Sequence, residues 1–191
     1  MANLDSSGTA VVCFGDSITA GYGVRPEQAF PALIANRLDL PVINAGIDGD
    51  RTQDALARLE HDVLANDPRV VVVEFGGNDF RKKVDKRETF RNLDRIVGRI
   101  SRHGAMVILL EMRIGILRDE YLEGYKEVAK THGTLLITNF MSGILGNPKL
   151  TVDGIHPNAE GHELIARRVM EELVSLLEEA ERIRAGKRQM P

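Results

Sequence analysis

Residues 69–75, RVVVVEF, include four consecutive valines. A strand with one face in water alternates apolar and polar residues, whereas this run is almost continuous in β-branched side chains. Residues 105–112, AMVILLEM, have the same character. Both segments predict strands that are covered on both faces, as the strands of a parallel sheet are.

Three further apolar runs and several helix-length segments complete an alternating pattern. The runs are TAVVCF, PVIN and TLLIT (9–14, 41–44 and 134–138), and the helical segments are 26–39, 50–67, 85–102, 118–133 and about 160–185. This alternation predicts an α/β fold with a three-layer α/β/α architecture. Its middle layer is a doubly wound, five-stranded parallel sheet in the flavodoxin-like order 2-1-3-4-5. We expect one domain over residues 1–191, with a core at about 9–180 and a frayed tail at 182–191.

The bulk composition disfavours several partners. A net charge of −3 and a pI near 6.0 point to neither nucleic acid nor an anionic membrane. No apolar stretch approaches the roughly 18 residues of a membrane span, so stable membrane insertion is not expected. Residues 1–9 lack the pattern of a signal peptide, which predicts a cytoplasmic location for the chain as it stands. A periplasmic or secreted location is the alternative if a leader has been removed, and the oligomeric state is not predicted.

Four polar, glycine-rich turns follow predicted strands or precede the last helix. They are GDS at 15–17, NAGIDGD at 44–50, GGND at 76–79 and VDGIHPNAEGH at 152–162. In a doubly wound sheet, ligands bind outside the carboxyl ends of the strands. We therefore expect the four turns to form one site.

Ser17, Asp153 and His156 are the residue types that acyl transfer requires. A serine hydroxyl is a poor nucleophile until a base accepts its proton, and that base needs an orienting carboxylate. Asp153 and His156 are three residues apart, so one short turn can hold both. We predict Ser17 as the nucleophile, His156 as the base and Asp153 as its orienting group. Taken singly, Ser17 is more typical of a turn residue or a helix N-cap than of a nucleophile, and the other two are typical of a helix-entry turn.

An oxyanion requires hydrogen-bond donors aimed at it. The candidates are the backbone N–H groups of Ser17 and Gly49 and the side-chain amide of Asn78. Gly46 competes with Gly49 for this role, and Asn78 alone is also typical of a turn cap.

The remaining side chains near the strand ends receive weaker assignments. Phe80, Met112 and Ile114 follow the third and fourth strands, and topology makes them candidate walls of a substrate pocket. Asp16 is expected to accept backbone hydrogen bonds, whereas Asp48 and Asp79 have no assigned role. The basic run that begins at residue 81 is interpreted as a solvated face, with the rim of a substrate entrance as the alternative.

The blocks FGDSITAGYG, NAGIDGD, VVVEFGGND and DGIHPNAEGH together resemble the ordered motifs of the SGNH (GDSL-type) hydrolases. The resemblance covers about residues 11–165. Within the family, the sequence is similar to the bacterial thioesterase, lysophospholipase and arylesterase branch. It implies the triad Ser17, Asp153 and His156, and an oxyanion hole of Ser17, Gly49 and Asn78. It also implies hydrolysis of carboxylic esters or thioesters with no metal and no cofactor, on a small-molecule substrate.

Alternative functions remain at this stage. A carbohydrate O-acetylesterase of the same family has the same motifs. A metal-dependent phosphoesterase would also use Asp, Asn and His at strand ends, but no Asp-x-His follows the first strand. A binding domain without activity would not need all five site residues. The turn around Ser17 lacks the G-x-S-x-G pattern of α/β-hydrolases, which disfavours that fold.

Overall fold

The four valines of residues 70–73 lie in the central strand of a parallel sheet in a computed structural model of the chain, which describes residues 1–113 and 118–188. The strands are β1 (Ala10–Gly15), β2 (Val42–Gly46), β3 (Pro68–Glu74), β4 (Met106–Leu110) and β5 (Leu135–Ile137). Every residue of β3 is buried, because the sheet has helices on both faces.

The strand order is β2-β1-β3-β4-β5, and all neighbouring strands are parallel. In the register, Val12 lies opposite Ile43 of β2 and Val71 of β3. The three inner strands are buried throughout, whereas β2 and β5 at the two edges are only partly buried. The predicted fold class and strand order are confirmed.

The helices connect the strands and cover the sheet. They are α1 (Ser17–Ala20), α2 (Phe30–Ala35), α3 (Thr52–Asp62), α4 (Gly77–Arg81), α5 (Lys86–His103), α6 (Arg118–His132) and α7 (Ala159–Arg188). Helix α2 packs against α7, while α5 packs between α3 and α6. All parallel strands end at one edge of the sheet, so the loops that follow them lie together.

The structure differs from the sequence prediction at several helices. The segment 26–39 is interrupted at Ala29, which has extended backbone angles (φ −67°, ψ 143°), and only the parts Pro26–Gln28 and α2 are helical. Helix α7 continues to Arg188, past the point where the tail was expected to fray, and Lys187 contacts Asp5 at 2.6 Å. The short helices α1 and α4 were not predicted, and both lie at the candidate site.

Candidate active site

Ser17 is the first residue of α1, immediately beyond β1. The Asp16 carboxylate caps this helix by accepting the backbone N–H of Ile18 at 3.0 Å. Gly21 ends the helix in the left-handed conformation (φ 87°), which glycine adopts without steric cost. A helix of four residues between a cap and a glycine therefore holds the Ser17 side chain at the end of a buried strand.

A continuous series of hydrogen bonds joins Ser17, His156 and Asp153. The Ser17 hydroxyl lies 3.0 Å from Nε2 of His156, and Nδ1 of His156 lies 2.7 Å from the Asp153 carboxylate. Ser17 and His156 are 139 residues apart in the sequence, so the fold brings them together. A hydroxyl, an imidazole and a carboxylate in this order can move a proton from the hydroxyl to the ring.

Asp153 is held as a carboxylate although it is partly exposed to water. Its Oδ1 accepts the backbone N–H groups of His156 at 2.8 Å and Ile155 at 3.0 Å. These bonds and the His156 ring favour the charged form and lower the pKa of Asp153 to about 2. The same turn therefore fixes the position of the carboxylate and its charge.

Asn78 lies in α4, beyond β3. Its Nδ2 donates to the carboxylate of Asp16 and to the backbone carbonyl of Asp50, both at 3.0 Å, while its Oδ1 accepts from the Arg81 guanidinium at 2.9 Å. The amide is thus held from three sides and lies beside the loop that follows β1. Its two hydrogens both have acceptors in this state.

Gly49 lies in the loop between β2 and α3. Its φ of 80° is in the left-handed region, and a Cβ at this position would meet no atom within 4 Å. Its carbonyl accepts from the Lys82 ammonium at 3.1 Å. Gly49 is not among the described residues that line the adjacent cavity. The alternative, Gly46, ends β2, where a Cβ would lie 2.2 Å from the Ala20 nitrogen, so this glycine permits close packing of two backbones.

Arg58 of α3 ties this loop to the sheet, which the sequence analysis missed. Its guanidinium donates to the Asp50 carboxylate at 2.6 Å, to the Ala45 carbonyl at 2.8 Å and to the Gly15 carbonyl at 3.0 Å. It also lies over the Phe14 ring, 4.5 Å from the centroid. One side chain therefore connects the ends of β1 and β2 with the loop that contains Gly49.

A mainly apolar cavity of about 220 Å³ opens beside Ser17. Its apolar walls include Phe80 and Met112, which the sequence predicted as pocket residues, and also Ile18, Leu145 and Ile155. Ile114, the third predicted wall, lies outside the described residues. Arg81 lines the cavity as well, so the basic run is partly at the site and not only on a solvated face.

The acidic residues left unassigned by the sequence have distinct surroundings. Asp79 is buried and accepts the Thr52 hydroxyl at 2.6 Å and the Thr52 backbone N–H at 3.0 Å, so it joins α4 to α3. Asp48 is exposed. The sequence analysis missed two contacts. The centroids of the Tyr22 and His156 rings are 4.5 Å apart. The buried Glu74 accepts the backbone N–H of Asp16 at 3.3 Å.

Within 1–113 and 118–188, no group of three or more His, Cys, Asp or Glu side chains has the geometry to hold a metal ion. Among the helices in these ranges, none has the length and apolarity that crossing a bilayer would need.

Comparisons with known proteins identify the family. The sequence model of the GDSL-like lipase/acylhydrolase family matches residues 13–164. An arylesterase of Vibrio mimicus is 30% identical over 178 residues, which cover 87% of this chain and 89% of the relative. Thioesterase 1/protease 1/lysophospholipase L1 of Escherichia coli K12 is 30% identical, with 87% and 84% covered. A crystal structure of TesA has a TM-score of 0.81 at 31% identity, over 88% of this chain and 99% of that chain. The chain therefore belongs to the GDSL-like lipase/acylhydrolase family, which confirms the predicted SGNH hydrolase.

Proposed function

We propose that this chain is a serine esterase that hydrolyses carboxylic esters and thioesters through an acyl-enzyme on Ser17. The observation that supports the proposal is the series Ser17 Oγ, His156 Nε2 (3.0 Å), His156 Nδ1 and Asp153 Oδ2 (2.7 Å). Each member has the role that nucleophilic catalysis demands: a hydroxyl to attack, a neutral imidazole to accept its proton, and a carboxylate to orient the imidazole.

In the first half of the reaction, Ser17 Oγ attacks the acyl carbonyl while its proton moves to Nε2 of His156. The tetrahedral oxyanion collapses, the bond to the leaving alcohol or thiol breaks, and His156 protonates that group. In the second half, His156 takes a proton from water, hydroxide attacks the acyl-enzyme, and Ser17 leaves with the proton. Asp153 remains ionised throughout and stabilises the imidazolium.

The oxyanion is stabilised in this proposal by the N–H groups of Ser17 and Gly49 and by Nδ2 of Asn78. Both hydrogens of Nδ2 have acceptors in the free protein, the Asp16 carboxylate and the Asp50 carbonyl. Substrate binding therefore replaces the neutral Asp50 carbonyl by the oxyanion, while the bond to Asp16 is retained. Loss of one such donor typically lowers kcat about 10²–10³-fold, and we expect this of Asn78→Ala.

The cavity supports an acyl or aryl group as the substrate part bound beside Ser17. Its walls of Ile18, Phe80 and Met112 offer apolar contact and few hydrogen-bond partners. The names of the relatives, arylesterase and thioesterase/lysophospholipase, are consistent with such groups. We propose a small-molecule ester or thioester as the partner, with no cofactor and no metal.

Hydrolysis of p-nitrophenyl esters from acetate to palmitate tests the proposal, with wild type and Ser17→Ala compared in the presence and absence of a chelator. We expect chelator-resistant activity that falls about 10⁴-fold or more in Ser17→Ala, because the nucleophile is removed. A phosphonate inhibitor should add its mass to Ser17 in the wild type. The exposed Ser7 provides the matched control, and Ser7→Ala should be labelled and active like the wild type.

Each other outcome has a distinct meaning. Activity that survives Ser17→Ala and disappears with chelator would replace this proposal by the metal-dependent phosphoesterase or a related mechanism. Activity confined to the acetate ester would favour the carbohydrate O-acetylesterase of the same family. An optimum at medium or long chains would support the acyl pocket beside Phe80 and Met112.

A further inference from the structure

Glu74, the last residue of β3, is buried against the loop at residues 15–17, which leads from β1 to Ser17. The proposed mechanism does not use it. Its side chain is fully buried, and its Oε2 lies 3.0 Å from the Thr19 hydroxyl and 3.3 Å from the Asp16 backbone nitrogen. Gly15 makes room for it, since a Cβ there would lie 2.7 Å from this oxygen. The fold therefore accommodates a carboxyl group at this position at the expense of a side chain in β1.

As a carboxylate, Glu74 would have one buried oxygen that accepts no hydrogen bond. Its Oε1 is buried and has no protein partner, and within the described residues no lysine or arginine pairs with Glu74. Asp16 is its neighbour: Oε2 of Glu74 accepts the Asp16 backbone N–H at 3.3 Å, both side chains are buried, and the negative charge of Asp16 is among the causes that raise the pKa of Glu74. Two carboxylates cannot both be charged in such a buried contact, so one of them holds a proton.

The hydrogen-bond donors show which acid is charged. Burial raises the pKa of Asp16 to about 6. The rise is limited because Asp16 accepts the backbone N–H of Ile18 and the amide of Asn78, both at 3.0 Å, and these donors favour its carboxylate form. Glu74 also has two donors, the Thr19 hydroxyl and the Asp16 backbone N–H, but both reach Oε2, its Oε1 has none, and the side chain is fully buried. Burial, and then the negative charge of Asp16, raise the pKa of Glu74 well above its usual range. The proton belongs on Glu74.

We propose that Glu74 is a positioning residue whose protonated carboxyl donates a hydrogen bond to the Asp16 carboxylate, and that Asp16 thereby holds the Asn78 amide in the oxyanion hole. This inference rests on the proposed hydrolase function. Glu74 does not touch the substrate, because Asp16 lies between it and Asn78. Its contribution should be seen in kcat, since the donor it positions acts on the oxyanion of the transition state.

A double-mutant cycle between Glu74 and Asn78, measured on p-nitrophenyl butyrate, tests this relay. Glu74→Ala should lower kcat at least tenfold with KM within about twofold. In the Asn78→Ala background the same change should alter kcat less than threefold, because the positioned donor is already absent. Glu74→Gln should retain kcat within about threefold, because its amide also donates to Asp16.

Glu111 provides the matched control. It is also a fully buried glutamate, but it pairs with Arg113 and has no described bond to Asp16 or Asn78. The effect of Glu111→Gln on kcat should be the same in both Asn78 backgrounds. If Glu74→Ala lowers kcat by equal factors in both backgrounds, or if Glu74→Gln is as defective as Glu74→Ala, the relay is wrong.

A spectroscopic measurement tests the proton without using activity, which matters if Glu74→Ala does not fold. The infrared C=O stretch of a protonated carboxylic acid should be present in the wild type at neutral pH and absent in Glu74→Gln. Identical spectra would overturn the assignment. Full activity in Ser17→Ala would instead refute the proposed function, whereas an inactive Ser17→Ala with additive Glu74 and Asn78 effects would refute only this inference.

Discussion

Glu74 and Glu111 lie at the carboxyl ends of two adjacent strands, and their burial is compensated in different ways. Glu74 ends β3, and Glu111 directly follows β4; both are 0% exposed. Glu111 accepts two hydrogen bonds from the Arg113 guanidinium and one from the Asn139 backbone N–H at 2.6 Å. Glu74 has instead a hydroxyl, one backbone N–H and a second acid around it.

The difference shows two solutions to the same problem. Burying an ionised carboxylate is costly unless it is paired, and otherwise the group becomes neutral. The charged Glu111, with its bonds to Arg113 and Asn139, connects the end of β4 to the segment after β5 and so stabilises the fold. The neutral, protonated Glu74 is a hydrogen-bond donor beside Asp16, in the loop that leads from β1 to Ser17.

Removal of the Arg113 cation from its ion pair with Glu111 should have the largest effect on the free energy of unfolding. Arg113→Met leaves Glu111 buried without its counter-charge, and breaking a buried pair in this way costs about 3–5 kcal/mol. Urea denaturation should show a loss of about 4 kcal/mol in the free energy of unfolding. Arg91→Met, at an exposed arginine, serves as the control and should change the stability by less than about 0.5 kcal/mol. A loss below about 1 kcal/mol for Arg113→Met would mean that Glu111 does not depend on this ion pair.

A third buried group, His162 of α7, is neutral because it loses a proton. Its Nδ1 accepts the Phe30 backbone N–H at 3.3 Å, its Nε2 has no protein partner, and burial lowers its pKa from 6.5 to about 4. The unfolded chain therefore binds the proton first as the pH falls. The folded state should lose stability between pH 6.5 and 4, by roughly 3 kcal/mol in total.

The measurement is urea denaturation of the wild type and His162→Gln between pH 7 and pH 4. The glutamine can still accept from Phe30 but does not titrate, so the difference between the two proteins isolates the histidine. The wild type should lose stability faster than the variant as the pH falls. Parallel curves would show that His162 is protonated in the folded protein.

The strands and the order of the motifs could be predicted because both depend on local patterns, and the strand order then followed from the flavodoxin-like arrangement of the α/β class. The run of valines in β3 indicates a strand buried on both faces, and parallel strands bring their carboxyl ends to one edge. The helices α1 and α4 could not be predicted in this way, because four or five residues are too few to show a helical period. Their caps and glycines act locally, as the left-handed Gly21 does for α1.

The compensation of Glu74 could not be predicted from sequence either, although one signal was present. A charged residue inside an otherwise apolar strand indicates a buried acid that needs a partner. That partner, Asp16, is 58 residues away, and the proton depends on which donors surround each acid. The contacts of Arg58 with Gly15, Ala45 and Asp50 are similarly non-local, so its role in the site became visible only in the folded chain.

Replacement of each glutamate by glutamine distinguishes the two strand ends. The unfolded chain ionises Glu74 near pH 4.5, whereas the folded chain keeps its proton to a much higher pH. Above pH 4.5 the wild type therefore loses stability relative to Glu74→Gln, which has no proton to lose. Glu74→Gln should therefore gain stability over the wild type as the pH rises from 5 to 8, in urea denaturation at each pH. Glu111→Gln should be less stable than the wild type at pH 8, because it removes the charge that Arg113 requires. A Glu74→Gln variant that loses stability relative to the wild type as the pH rises would place a carboxylate at Glu74, and the contrast between the two strand ends would disappear.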